Sequence, residues 1–402
     1  MRYDFDWLPD RRSTESVKWN HYDPDILPLW VADMDFASPE PVIRALRERV
    51  EHGVFGYAPT IFNDPHETLT LRRLIQERLM RKYRWEVQPD EMIFLPGVIP
   101  GFNLACHAMA SASGNVLVQT PVYPPILAAP GNAGMECRAM ELVSNPDGEY
   151  GIDREAFERA VTDRTRLFIL CSPHNPVGRV FRRDELEMMA DVCLRQGVVI
   201  CSDEIHSDIV FSGHRHIPIA TLGPEIAANT ITLISPSKTF NLAGFSLAVA
   251  IIQNPDLRQK VLASGKGLVS RACVMGLTGA QAAFQDGEDW LDQLLCYLES
   301  NRDFLVDYVR HEMPGIRVRE PEGSYLAWLD CRKAGIDGDP FMFFLEKARV
   351  ALNAGASFGK GGEGFVRLNY GCPRSVLAEA LQRMRNACLQ TRRSGSGEKT
   401  CA

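Results

Sequence analysis

Seven short strand-like runs, most of them apolar, recur between Met92 and Ile252, with helix-like stretches between many of them. They fall near residues 92–95, 115–119, 136–142, 167–171, 198–202, 230–234 and 247–252. Runs of this length without polar alternation suit strands buried on both faces. Their alternation with helices predicts an α/β fold built on a mostly parallel, helix-covered, seven-stranded sheet. Beyond Phe284 the pattern changes. A long helix near 290–313 precedes strands near 316–319 and 325–329, a helix near 340–350 and a last helix near 373–388. These read as a smaller α+β lobe. At 402 residues the chain exceeds a typical single domain. The expected organisation is an N-terminal segment (1–50) joined to the small domain, a large domain (51–285), a small C-terminal domain (286–390) and a disordered Ser/Gly-rich tail (391–402). Upstream, Ser38 and Pro39 predict an N-capped helix that stops near Gly53, and Asp64 to Glu67 a capping box opening a helix to about Tyr83.

Charge and composition exclude several functions. A net charge of −7 argues against a nucleic-acid or anionic-membrane partner. No apolar run approaches the length of a membrane span, and the segment Met1 to Asp10 is too polar for a signal peptide. Eleven cysteines are scattered without a CxxC pair, as expected of a cytoplasmic protein using thiols as small core residues. His214-Arg215-His216 reads as a solvated loop rather than a metal site, and no metal is expected.

Three of the apolar runs end in residues that carry chemistry. Ser235-Pro236-Ser237-Lys238-Thr239-Phe240-Asn241 follows the run ending at Ile234. An ammonium at the end of a buried strand costs several kcal/mol or loses its proton more readily. A lysine amine that joins pyridoxal 5'-phosphate (PLP) needs such a place, and hydroxyls beside it suit a phosphate. Taken alone, the motif is equally a surface lysine in a Ser/Pro loop. Asp203 ends the run Val198 to Ser202, at the edge where α/β sheets bind ligands. A carboxylate there could keep a pyridine nitrogen protonated, or simply cap a helix. Ser172-Pro173-His174-Asn175-Pro176 is a stiff turn that can aim the Asn175 amide at a phenolic oxygen. Arg367 lies inside the strand-like run Gly364 to Asn369, where a guanidinium needs a partner: a substrate carboxylate or an internal acid.

In that order, Asn175, Asp203 and Lys238 resemble the PLP-dependent enzymes of the aspartate-aminotransferase fold, fold type I, class I/II. Within them the chain is most similar to the MalY/PatB cystathionine β-lyase group. The stretches Ala32 to Phe36 and Arg367 to Pro373 carry that finer likeness, and the resemblance runs from about Tyr3 to Cys388. It implies that Lys238 carries the cofactor and moves the Cα proton, that Asp203 faces the ring nitrogen, and that Tyr123 stacks on the ring. Asn175 and His206 would face the phenolic oxygen. The Val98 and Ile99 amides, Ser235, Ser237 and a Tyr57 from a second subunit would hold the phosphate. Arg367, helped by the backbone at Ala32, would bind the substrate carboxylate. One departure stands out: 239–250 contains neither Arg nor Lys, where many relatives place a phosphate-binding arginine. The implied protein is a homodimeric carbon–sulfur β-lyase cleaving L-cystathionine, L-cystine or related cysteine S-conjugates to pyruvate, ammonia and a thiol. A PLP-dependent aminotransferase and a non-catalytic regulator on the same fold are the alternatives.

Overall fold

In a computed structural model the protein is described at residues 2–58, 68–145, 148–270 and 272–397. Its centre is a seven-stranded sheet of β1 (Met92–Leu95), β2 (Asn115–Thr120), β3 (Glu136–Glu141), β4 (Thr165–Cys171), β5 (Val199–Asp203), β6 (Thr230–Ile234) and β7 (Ala248–Ile251). The spatial order is β1-β7-β6-β5-β4-β2-β3, and β7 alone runs against the others. All seven expected strands are present within two residues of their predicted ends.

Both faces of this sheet are covered. Phe102, Val116, Ile231 and Leu233 are buried on one side, and Phe157, Phe168, Leu170 and Met189 on the other. Each such side chain contributes roughly 1.5–3 kcal/mol on burial, so the strands tolerate few polar residues except at their ends. The carboxyl ends of β4, β5 and β6 lie side by side, with Cys171 opposite Asp203 and Asp203 opposite Leu233.

A second, antiparallel sheet has the order β8 (Arg317–Val318), β9 (Leu326–Asp330), β11 (Phe365–Asn369), β10 (Asn353–Ala354). A long helix, Glu288–Glu312, and the last helix, Arg374–Gly397, pack on it through Leu294, Leu298, Leu305, Leu377 and Leu381. Phe5, Leu29, Met34 and Phe36 enter the same core. The N-terminal segment thus runs between the two sheets.

Several local expectations change. Ser38 does not cap its helix: that helix is Glu40–His52, and the Ser38 hydroxyl donates to the Asn241 carbonyl instead. The proposed capping box at Asp64 to Glu67 lies outside the described residues, and the helix is seen at Leu69–Tyr83. The stretch expected as one helix near 340–350 is a short turn, Pro340–Phe343, followed by a wider turn, Phe344–Ala348. The last helix continues past Cys388 to Gly397. His216 is not solvated. It is 3% exposed, with its Nε2 2.8 Å from Glu204 Oε2.

Candidate active site

The strand ends open onto a cavity of about 400 Å³ between the two sheets. Lys238, Asp203, Asn175, His206, Tyr123, Val98, Ile99, Ser237, Arg367 and Ala32 all line it. Ser235 does not. Its hydroxyl caps the short helix Pro236–Thr239 by accepting from the Ser237 amide, and it also donates to the Leu247 carbonyl at 2.6 Å. Tyr57 is also absent from the lining and is 92% exposed.

Lys238 sits in the first turn after β6, so its stem is packed while its amine reaches into the cavity. Its Nζ donates to the Ala32 carbonyl at 2.6 Å. Burial pulls the ammonium down to about 8. Asp203, at the end of β5, is 4% exposed and makes no ion pair among the described residues; Oδ1 accepts only from the Ile205 amide at 3.2 Å. Burial therefore pushes its carboxyl up to about 7. The Asn175 turn is tied to the sheet, since the Ser172 amide donates to the Asp203 carbonyl and the Gly178 amide to His174.

Arg367 occupies the middle of β11, directly opposite Asn353. It is 4% exposed. Nη1 donates to Asn175 Oδ1 at 3.0 Å; Nη2 donates to Asn353 Oδ1 at 2.6 Å and the Trp30 carbonyl at 2.9 Å. All three acceptors are neutral, and no carboxylate lies within ion-pair distance among the described residues. Burial accordingly draws the guanidinium down to about 10. Two buried nitrogens of the lining also lack partners, Arg367 Nε and His206 Nδ1. Burial holds His206 neutral, down to about 3.

At the far end of the cavity a helix, Val98–Ala108, follows β1 after Gly97. Gly97 has φ +132°, a conformation that a residue with a Cβ rarely adopts. Gly101 lets the same helix lie on β6, since a Cβ there would come within 2.8 Å of Leu233. The first amides of such a helix point outward without intrahelical partners and favour an anion.

A family model described as aminotransferase class I and II matches residues 24–384. The chain belongs to that family. Cystathionine β-lyase PatB of Bacillus subtilis is 37% identical over 95% of this chain and 99% of its own length. Cystalysin from Treponema denticola, whose crystal structure contains PLP, superposes with a TM-score of 0.91 at 30% identity, covering 97% of this chain and 100% of its own. The PLP-bound C-S lyase from Staphylococcus hominis superposes at 0.89 with 31% identity, over 96% and 99%.

PLP is the cofactor of this class I/II enzyme, and the cavity fits it. A lone buried carboxylate, a lysine with a depressed proton affinity and a helix N-terminus converge on one space. An uncompensated guanidinium faces them from the second sheet. A larger groove of about 560 Å³ beside Arg179 offers no comparable charge, because Arg179 already pairs with Glu185 at 2.7 Å. Within 239–250, Ala243 and Ser246 are the residues that reach the cavity.

Four site residues escaped the sequence reading. Asn353 lies in a two-residue strand too short for a periodicity signal, although an amide straight after the apolar Val350-Ala351-Leu352 could have been noticed. Ser246 takes the place where a cation was sought. Trp30 and Tyr325 carried no local pattern; the Tyr325 hydroxyl donates to the Ala32 carbonyl at 2.9 Å. The Ala32 carbonyl is therefore occupied by Lys238 and Tyr325.

Proposed function

We propose that this protein is a PLP-dependent carbon–sulfur β-lyase acting on L-cystathionine, L-cystine or related cysteine S-conjugates. The observation that carries the amino-acid substrate is Arg367. A buried guanidinium held only by neutral acceptors is poised for a carboxylate, which it binds through two parallel charge-assisted hydrogen bonds. The full-length likeness to proteins named cystathionine β-lyase and C-S lyase supports elimination as the reaction.

In this reading Arg367 fixes the α-carboxylate and so presents the Cα proton to Lys238. The Lys238 amine, already near neutrality through burial, takes that proton. Bound PLP acts as the electron sink for the carbon left behind. Asp203 would hold the proton on the ring nitrogen, Tyr123 would pack on the ring, and Asn175 and His206 would serve its phenolic oxygen. Ser237 and the Val98 and Ile99 amides would hold the phosphate. The Cβ–S bond breaks with its electron pair on sulfur, and the thiolate is protonated. The remaining three-carbon enamine hydrolyses with water to pyruvate and ammonia.

A homodimer is part of the proposal. Val54, Phe55 and Tyr57 are 62%, 55% and 92% exposed in close succession. A second copy would cover them and bring Tyr57 of the partner subunit towards the phosphate. A division at 285/286 and a cytoplasmic location belong to the same reading; no described helix is long and apolar enough to cross a membrane.

The deciding experiment supplies cystathionine or cystine without a keto acid. Steady release of pyruvate, ammonia and thiol is expected. Sustained transamination of alanine or aspartate, with no thiol released, would replace the lyase by an aminotransferase and leave the PLP site standing.

A further inference from the structure

The segment Trp30 to Met34 has no strand partner, yet each of its carbonyls is held by a side chain. Asn369 Nδ2 donates to the Val31 and Asp33 carbonyls, at 2.6 and 2.7 Å. Asn241 Nδ2 donates to Met34 at 2.9 Å, and Lys238 and Tyr325 share Ala32. Behind this strap lies an ion cluster that the proposed chemistry does not use. Lys18 is 1% exposed and sits 2.7 Å from Asp35 Oδ2 and 3.6 Å from Asp33 Oδ1. Arg11 reaches both carboxylates at 2.6 Å, and Trp19 Nε1 donates to Asp35 Oδ1 at 2.8 Å. Two cations thus face two carboxylates, and the cluster is formally neutral.

Burying the Lys18–Asp35 pair, with Arg11 and Asp33 half-buried beside it, is inefficient for rigidity alone, because apolar residues of similar size serve as well or better. The arrangement gains a purpose from its position. Asp33 directly follows the residue whose carbonyl holds the Lys238 amine.

We infer that Asp33, held from behind by Arg11 and Lys18, is a positioning residue that sets the proton affinity of Lys238. This rests on the reading of Lys238 as the cofactor lysine. The other charged or titratable groups facing Lys238 are Asp203 and His206 from the end of β5, Arg367 from β11, Tyr123 and Tyr325. Among the influences on the amine, burial is largest, and Asp33 precedes both Arg367 and Asp203. An aspartate already paired with Arg11 at 2.6 Å and facing Lys18 at 3.6 Å supports the Lys238 ammonium only partly, which leaves the amine able to release its proton. Arg11, Lys18 and Asp33, distant in sequence from every strand-end motif, therefore help to position the site.

The test is a pH titration of the visible absorbance of the PLP-loaded protein, which reports protonation at Lys238 nitrogen. Asp33→Asn removes a negative charge from the cluster; the midpoint falls by roughly half a pH unit or more. Arg11→Gln removes a positive charge; the midpoint rises by a similar amount. The charge-conserving Arg11→Lys stays near wild type. Arg11 is 21% exposed, so its variants retain the fold more readily than Lys18 variants would. Cofactor-free protein offers a second readout, the pH dependence of Lys238 acetylation by acetic anhydride followed by peptide mass spectrometry. It should move in the same opposite directions. Loosened packing would shift both variants alike. Shifts of one sign, or none, in folded variants overturn the inference. A wild-type protein that acquires no titratable absorbance with PLP overturns the reading of the site itself.

Discussion

Asp203 concentrates the electrostatic cost of an active site in a single residue. Without a cation beside it, its folded carboxyl titrates near 7, whereas in an unfolded chain it titrates near the ordinary 3.8. The folded state therefore holds a proton that the unfolded state has lost. The associated stability is complete below about pH 4 and disappears as pH rises towards 7. His206 and His174, buried and neutral, impose the opposite slope below about 6.5, but they do so equally in wild type and in an Asp203 variant. Cofactor-free Asp203→Asn should accordingly be more stable than cofactor-free wild type at pH 8, by roughly 2–4 kcal/mol, with the difference vanishing near pH 4. With PLP bound the same variant should lose most of its turnover, because the ring nitrogen no longer has its counter-charge. Chemical denaturation at the two pH values checks the first part. Equal stabilities at pH 8 would mean that Asp203 is not the strained group.

At the scale of elements, legibility followed burial. Most strands of the large sheet were readable because both faces are covered, so each is a nearly uninterrupted apolar run; the exposed edge strand Glu136–Glu141 is the exception. Lys238, Asp203 and Asn175 were readable because they interrupt that code at strand ends. Asn353 was not, since a two-residue strand has no period, and its role arises from lying opposite Arg367 on β11. The Lys18–Asp35 pair was hidden for a related reason: charges in a short helix and an irregular segment look like surface residues until the rest of the fold closes over them. Ser235 has a second use that its sequence did not reveal, since a hydroxyl beside a lysine serves equally as a helix cap. The turn before Val98–Ala108 gives an element-scale prediction. Gly97→Ala meets no crowding, its nearest neighbour being Pro100 at 3.5 Å, but must hold φ +132°. The backbone cost is on the order of 1–3 kcal/mol, and relaxing it turns the helix N-terminus away from the phosphate. PLP affinity, measured by fluorescence titration of the cofactor-free protein, should fall about tenfold or more with the overall fold retained. Unchanged affinity would remove this helix from phosphate binding.

For the whole molecule, the unanswered demand is positive charge at the phosphate end of the cavity. The cations that line it, Lys238 and Arg367, are committed to the amine and carboxylate ends, and the stretch 239–250 supplies Ser246 rather than an arginine. Helix amides and hydroxyls from one chain must then hold the phosphate by hydrogen bonds, and a further hydroxyl from a second chain would add one more donor. The apolar exposure of Val54, Phe55 and Tyr57 marks where that chain would sit. If Tyr57 of the partner subunit completes each site, two separately defective proteins should complement one another. Lys238→Ala cannot carry out chemistry, and Tyr57→Ala weakens cofactor retention across the boundary. In a hybrid of the two, one site collects both defects and the other collects neither. Activity recovered on mixing should thus approach one intact site per hybrid, about half of the wild-type value per dimer. It should appear only under conditions that allow subunit exchange, which mass spectrometry of differently tagged chains can follow. Hybrids that form without recovering activity would place Tyr57 in its own subunit's surface, and the phosphate would then depend on Ser237, Ser246 and the Val98 and Ile99 amides of a single chain.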